Sequence, residues 1–214
     1  DGVSEALAPG QALVLRTIFC GTAVCGLAAI GVEVMWARGL TIVLGATTYS
    51  ITIMLAAFLM GIAIGGAVPA LMPARIRQLS LTLRFVVVLL AAGVSALVAT
   101  QMIPELPRYA VSWNLRLYER ATKVELGTML VLSFALMFVP CVAMGIAFPL
   151  AGEARARLAN AVGKSAGDLV SLNTLGAIIG SVLAGFVLIP YLGLQKSMLT
   201  MDALYIAYAA LLVV

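Results

Sequence analysis

The chain has 214 residues, of which 63% are hydrophobic and only 10% are charged, and its mean hydropathy is +1.13. A water-soluble domain of this size could not cover its surface with so few charged groups. The composition therefore excludes an ordinary soluble protein and predicts an integral membrane protein. The net charge of +4 is explained by membrane topology and anionic lipid rather than by nucleic acid, for which the sequence has no motif.

Apolar windows long enough to cross about 30 Å of hydrocarbon predict the helices. We expect an all-α bundle of about six transmembrane helices, forming a single transmembrane domain over 1–214. The windows are 12–36, 47–71, 83–103, 126–148, 168–190 and 197–214. Helix ends are predicted at Pro69, Pro149 and Pro190, because proline cannot continue an ordinary helix.

One sizeable hydrophilic segment, 104–125, separates the third window from the fourth. Its interspersed aromatic and arginine residues predict an amphipathic helix in the membrane interface, and a binding cap over a cavity is the alternative. The polar start, 1–11, is typical of a trimmed or processed edge, and the last window ends without a charged anchor. Any soluble catalytic domain would therefore lie beyond 214.

The distribution of basic residues predicts the orientation. Two short loops that lie on the same side as both termini carry six of the thirteen Lys and Arg residues, which favours cytoplasmic termini. Their basic residues are Arg75, Arg77, Arg84, Arg155, Arg157 and Lys164. On the other side Arg38 and Lys196 stand almost alone except in the longer third loop, where four basic residues are mixed with three glutamates and weaken the asymmetry. We therefore expect a multi-pass protein of a bacterial inner membrane with its termini in the cytoplasm.

The residue types argue against bound cofactors. The chain has no His, and its cysteines, Cys20, Cys25 and Cys141, all lie in apolar windows without a CxxC motif. The commonest metal and haem ligand is thus missing. We expect neither a metal nor another cofactor, and no catalytic residue.

Two similar stretches suggest an internal repeat. "GATTYSITIMLAAFLMGIAIGG" (45–66) and "GKSAGDLVSLNTLGAIIGSVLAG" (163–185) each place small polar residues before a glycine-rich helix, and each is the second helix of a three-helix group. Because three is odd, two such groups in one chain have opposite membrane orientations. The pattern raises the possibility of a 3+3 inverted repeat, as in many secondary transporters.

Small residues at four-residue spacing predict close contacts between helices, because they let two backbones approach each other. A substrate path along the same grooves is the alternative interpretation. The predicted packing residues are Gly61, Gly65, Gly176, Gly180, Ser181 and Gly185.

Four side chains form a candidate intramembrane polar site: Glu33, Asn173, Asp168 and Tyr49. A carboxylate deep in an apolar window is costly unless it is paired, protonated or hydrated, so Glu33 has a structural hydrogen bond, a proton-relay or cation-binding role, or an interfacial position. Its partner could be Asn173 or a hydroxyl such as that of Tyr49. Asp168 is expected to cap the fifth helix, and Asn173 to make a hydrogen bond between helices.

Several stretches together resemble the membrane region of the spermidine-synthase-like membrane proteins, also described as fused major-facilitator/spermidine-synthase proteins. They are "VEVMWARGLTIVLGATTYSITIMLAAFLMGIAIGG", "MGIAFPL" and "VGKSAGDLVSLNTLGAIIGSVLAGFVLIPYLG". The chain departs from that family's pattern at Val32, because the family often has a tyrosine just before the glutamate, and at Val170 and Ser171, because the family often has a tyrosine shortly before its Asn-Thr pair. The family's soluble nucleotide-binding domain is not found within 1–214, so it either lies beyond 214 or was lost in this member.

The resemblance implies a membrane domain that is non-catalytic by itself and that anchors or feeds a cytoplasmic aminopropyltransferase-like domain. Two alternatives come from the residues themselves. One is a structural subunit of a larger respiratory or photosynthetic membrane complex, and the other is a transporter of polyamines or other small cations. The expected partners are the lipid bilayer, other membrane subunits or a second copy of the chain, and a polyamine.

Overall fold

The computed structural model describes residues 9–109, 112, 121–159 and 162–213. Of these residues, 93% are helical and none lies in a strand. Within the predicted interfacial segment, 104–125, residues 110–111 and 113–120 fall outside the described ranges. The described part begins in a 3-10 turn, Ile103–Glu105, continues as a helical turn to Tyr109, and ends in the long helix that begins at Ala121.

Six long helices run through the described part of the chain. They are α1 (Pro9–Leu44), α2 (Thr48–Leu71), α3 (Leu81–Met102), α4 (Ala121–Ala159), α5 and α6 (Leu194–Leu211). Helix α5 comprises Val162–Val182, a π-helical segment Leu183–Leu188 and a last turn Ile189–Leu192. A short helix, Ala74–Arg77, precedes α3.

Five helical segments are long and apolar enough to cross a membrane: Arg16–Ile42, Thr48–Leu71, Leu81–Tyr109, Leu130–Ala154 and Gly167–Leu192. The protein is therefore a polytopic, all-helical membrane protein. Helix α6 has 18 residues but is outside this set, because Lys196 and Asp202 lower its hydropathy. A sixth membrane-spanning helix stays a prediction.

Local sequence explains several helix ends. Thr47 and Ser80 precede α2 and α3, and each hydroxyl accepts a hydrogen bond of 3.2 Å from the backbone N–H three residues later. This is the usual N-cap geometry. Gly193 separates α5 from α6 with a φ of 76°, which glycine adopts without steric cost.

The predicted helix end at Pro149 is wrong. Pro149 lies inside α4, ten residues before its last helical residue, Ala159. Membrane helices tolerate internal proline because neighbouring helices and small local adjustments compensate for the missing N–H donor. Pro69 and Pro190 lie within the last turns of α2 and α5.

Two helix pairs have the most extensive packing, α1 with α5 and α2 with α4. Helix α3 packs on α4 and α6, and α1 also contacts α4 and α6, whereas α2 and α5 make at most slight contact with each other. The bundle thus consists of two tight pairs with α3 and α6 closing one side.

Arg84 is buried within this bundle and does not contribute a free loop charge. Its guanidinium donates two hydrogen bonds to the Glu153 carboxylate, at 3.0 and 3.2 Å. The Arg84 side chain is only 3% exposed, and that of Glu153 is 27% exposed. This ion pair joins the start of α3 to the C-terminal part of α4.

Candidate functional site

Glycines bring α2 and α4 into backbone contact. A Cβ atom at Gly61 would lie 2.5 Å from the Cβ of Cys141 and 3.2 Å from the carbonyl oxygen of Phe138. A Cβ atom at Gly65 would collide with the carbonyl oxygen of Val142. Because the contacts advance by four residues on both helices, α2 and α4 run parallel.

The same arrangement joins α1 to α5. A Cβ atom at Gly176 would collide with the carbonyl oxygen of Ala23, and one at Gly180 with that of Leu27. The register again advances by four residues on both helices, so α1 and α5 are also parallel.

The other two predicted packing residues on α5, Ser181 and Gly185, differ from Gly176 and Gly180 in their contacts. No described atom lies within 4 Å of a Cβ placed at Gly185, and the Ser181 hydroxyl donates to the Ile178 carbonyl of its own helix at 2.9 Å. Gly185 lies in the π-helical segment, whose wider turn shifts later side chains off the face that α-helical counting predicts.

A cavity of about 300 Å³ lies between the two tight helix pairs. Its lining comes from α1, α2, α4 and α5 and contains no charged side chain. The lining residues are Thr22, Cys25, Gly26, Ala29, Ile30, Ile62, Gly66, Met144, Gly145, Ala147, Phe148, Pro149, Val170 and Asn173. Phe148 and Val170 are exposed, so the cavity reaches the surface of the bundle.

The polar groups of the cavity are few. Thr22 is buried and donates a 2.8 Å hydrogen bond to the carbonyl of Ile18, so its oxygen can still accept a bond from a ligand. The half-buried Asn173 amide can both donate and accept. A mostly apolar wall with a small number of such groups is typical of small-molecule sites.

Asn173 packs against Gly26 and forms no hydrogen bond with Glu33. A Cβ atom at Gly26 would collide with the Asn173 carbonyl oxygen and lie 3.0 Å from its side-chain oxygen. Glu33 follows Gly26 by two helical turns, or about 10 Å along the axis. The predicted pairing is therefore replaced by a backbone contact, because glycine at position 26 lets α5 approach α1 closely.

Glu33 is half-buried and lies in the neighbourhood of Cys141 of α4. It makes no hydrogen bond or ion pair with any residue of the described ranges. Tyr49 lies in the first turn of α2 and is 69% exposed. These two predicted site residues therefore do not form a pair.

Asp168 does not cap α5, contrary to the sequence-based expectation. It lies six residues after the first described helical residue, Val162. The segment that we expected to be a loop, from Gly163 to Gly167, is helical. Only Asn173 of the four predicted polar residues lines the cavity.

Asp202, which was not among the predicted site residues, is fully buried in α6. Its Oδ2 atom accepts a 2.7 Å hydrogen bond from Thr100 of α3, whereas Oδ1 has no partner among the described residues. A carboxylate in the last apolar window was the available signal, since such residues are expensive inside membranes.

Two tyrosines of α6 hold α1. The Tyr205 hydroxyl donates to the Cys25 carbonyl at 3.1 Å, and the Tyr208 hydroxyl donates to the Thr17 carbonyl at 2.5 Å. The higher-numbered tyrosine of α6 bonds to the lower-numbered residue of α1, so the two helices are antiparallel. The Cys25 bond fixes a residue that also lines the cavity.

The described ranges contain no cluster of three or more His, Cys, Asp or Glu side chains suited to a metal ion. No protein-family model, curated protein or solved structure matches the chain. Its function is therefore inferred from the fold and from the cavity.

Proposed function

We propose that the chain is a small-solute transport domain built from two three-helix units, α1–α3 and α4–α6, related as an inverted repeat. The observation that carries this proposal is a constant sequence offset between corresponding residues of the two units. The closely packed Gly61 and Gly65 of α2 are each 115 residues before Gly176 and Gly180 of α5.

The partners of these glycines have the same spacing. Gly176 and Gly180 meet the carbonyls of Ala23 and Leu27, and adding 115 to those two positions gives Phe138 and Val142. These are the residues whose carbonyls meet Gly61 and Gly65. Glycine-rich helices resemble one another by chance, so the matching partners on a second helix are the stronger support for the repeat.

The packing pattern supports the same relation. In the repeat, α1 corresponds to α4, α2 to α5 and α3 to α6. Replacing each helix by its counterpart therefore turns the α1–α5 pair into α4–α2 and the α1–α6 pair into α4–α3, and it leaves the α3–α6 pair unchanged. All of these pairs are extensive contacts. The parallel direction of α2 with α4 and of α1 with α5 is also what an inverted repeat requires.

The position of the cavity supports a role in binding the solute. Ala29 and Met144 have the 115-residue spacing, as do Ile30 and Gly145, and all four line the cavity. Their position between the two units is where inverted-repeat transporters have their sites. The solute we propose is a small amine or other organic cation. Asn173 and Thr22 would be its hydrogen-bonding groups in the cavity, and Glu33, which lies outside the cavity lining, would be a counter-charge elsewhere in the membrane domain.

Uptake into proteoliposomes tests this function. Labelled spermidine, putrescine and methylammonium are offered to vesicles with and without the protein. Asn173→Phe fills the cavity and should abolish protein-dependent uptake. Leu175→Phe is the matched control, because Leu175 lies on the same helix but is 56% exposed and does not line the cavity. Equal uptake by both variants, or none by the unmodified protein, contradicts the proposal.

The resemblance to the spermidine-synthase-like membrane proteins favours a second candidate, an anchor for a cytoplasmic aminopropyltransferase-like domain. Its support is the set of quoted motifs. The coding sequence around this chain tests it: a downstream soluble domain with a nucleotide-binding glycine turn supports the anchor, and a stop codon after Val214 opposes it. Stable co-purification with other membrane subunits would instead favour the structural-subunit alternative.

We also propose that both termini face the cytoplasm of a bacterial inner membrane. Arg75 and Arg77, in the turn after α2, are exposed, which supports the positive-inside interpretation. Arg38 and Lys196, on the other side, are exposed as well, so the asymmetry is modest. Reporter fusions after Gln78 and after Gly193 test the orientation, since only the first should report a cytoplasmic location.

A further inference from the structure

We propose that a second cavity, closed in this structure, lies across the repeat axis from the open one and contains Glu33 in its wall. It would open when the two tight pairs rock against each other, and it would bind an organic cation. This inference rests on the inverted repeat of the proposed function. It assigns Glu33 a place in the solute path that the open cavity does not give it.

The lining of the open cavity has a counterpart 115 residues away in the other unit. Asn173 corresponds to Phe58, Gly26 to Cys141, and Thr22 to Met137. In each case the corresponding residue is larger. Phe58, Cys141 and Met137 are 4%, 0% and 1% exposed, so these side chains fill the volume that is open on the other side.

The rim of the open cavity has a counterpart of a different chemical kind. Phe148 lines the rim and is 37% exposed, and its counterpart by the same spacing is Glu33. Glu33 lies in the neighbourhood of Cys141, the counterpart of Gly26, as the repeat requires. A half-buried carboxylate without a described hydrogen-bond partner is a suitable counter-charge for an ammonium group.

The packing of the helices allows the motion. Backbone contacts at the glycines make each tight pair, α1–α5 and α2–α4, rigid, because closely packed surfaces of this kind resist deformation. The helices that flank the open cavity, α2 and α5, make at most slight contact with each other. Rocking of one tight pair against the other can therefore close the cavity at Asn173 and open its counterpart at Phe58, which is alternating access around a fixed centre.

Cys141 is a natural reporter for the closed cavity. Cys20→Ala and Cys25→Ala leave it as the sole thiol of the chain, and a small charged methanethiosulfonate reagent labels it in proteoliposomes only if the cavity opens to water. We expect labelling of this form, and faster labelling when Asn173→Phe disfavours the open cavity. Leu175→Phe is the control and should leave the rate unchanged.

Cation binding is tested by protection. Spermidine at about ten times its Kd should slow labelling of Cys141 about tenfold, because only the free protein reacts. Glu33→Gln should remove this protection, and Glu33→Asp should retain part of it. Size-exclusion chromatography establishes that each variant is folded, and uptake is measured on the same vesicles.

The outcomes separate the two proposals. Normal spermidine uptake with no labelling of Cys141 overturns the second cavity and leaves the transport function standing. If spermidine slows the labelling of Cys141 equally in the Glu33→Gln variant and in the unmodified protein, the proposed role of Glu33 is overturned. Labelling with Glu33-dependent protection but no uptake supports the cavity and overturns transport.

Discussion

The Thr100 hydroxyl of α3 donates a 2.7 Å hydrogen bond to Oδ2 of the fully buried Asp202 of α6. It is the one hydrogen bond to that carboxyl group within the described ranges. Thr100→Val should therefore destabilise the protein by about 1–3 kcal/mol, because a buried acceptor loses its partner. Thr100→Ser keeps the hydroxyl and should be near wild type. Thermal unfolding in detergent compares them, and equal Tm values would contradict the prediction.

Removing one partner of the Arg84–Glu153 pair should destabilise the protein, mainly because the remaining charge is left without its partner. Removing one partner of a fully buried pair costs about 3–5 kcal/mol. We expect a smaller loss for Glu153→Gln, since Glu153 is 27% exposed. Arg84→Met combined with Glu153→Leu removes both charges and should recover much of it. A double-mutant cycle measures the coupling, and additive losses would refute it.

Gly65→Ala and Gly180→Ala should each destabilise the protein by about 1–3 kcal/mol, because the added methyl group meets a carbonyl oxygen of the neighbouring helix. If the two halves are equivalent, the two losses should be similar. Gly66→Ala and Gly185→Ala are matched controls, since nothing lies within 4 Å of a Cβ at either position. Unfolding in detergent compares all four, and a neutral Gly65→Ala would argue against the close contact.

Tyr205→Phe should cost about 1 kcal/mol, the net value of one ordinary hydrogen bond, because it removes the 3.1 Å bond to the Cys25 carbonyl without changing the packing of the ring. Tyr191→Phe is the control, since Tyr191 is 81% exposed. Because Cys25 lines the cavity, Tyr205→Phe should also weaken spermidine uptake. An unchanged Tm would show that the bond contributes little.

Hydropathy predicted helices at α1 to α5 because it is a local property, and a run of about 20 apolar residues can satisfy its backbone groups in lipid only as a helix. Local counting was less informative at helix ends. Pro149 and Asp168 lie inside helices, because α4 and α5 extend beyond their most apolar segments.

Contacts between helices could not be predicted in the same way. The pairing of Asn173 with Gly26 rather than with Glu33 depends on the register of α1 against α5, which no local pattern specifies. Asp202 was missed because a window average conceals a single carboxylate. The first is a consequence of three-dimensional packing, and the second is a consequence of averaging along the sequence.

The π-helical segment Leu183–Leu188 also affects how the two halves can be compared along the chain. It follows Val182 directly, and α5 ends at Leu192, whereas α2 ends at Leu71. If the halves descend from one duplicated gene, the 115-residue offset should hold up to this segment and change after it, because a π-helical turn contains more residues than an α-helical turn. An alignment without a gap would therefore pair the ends of α2 and α5 incorrectly and conceal a common ancestry.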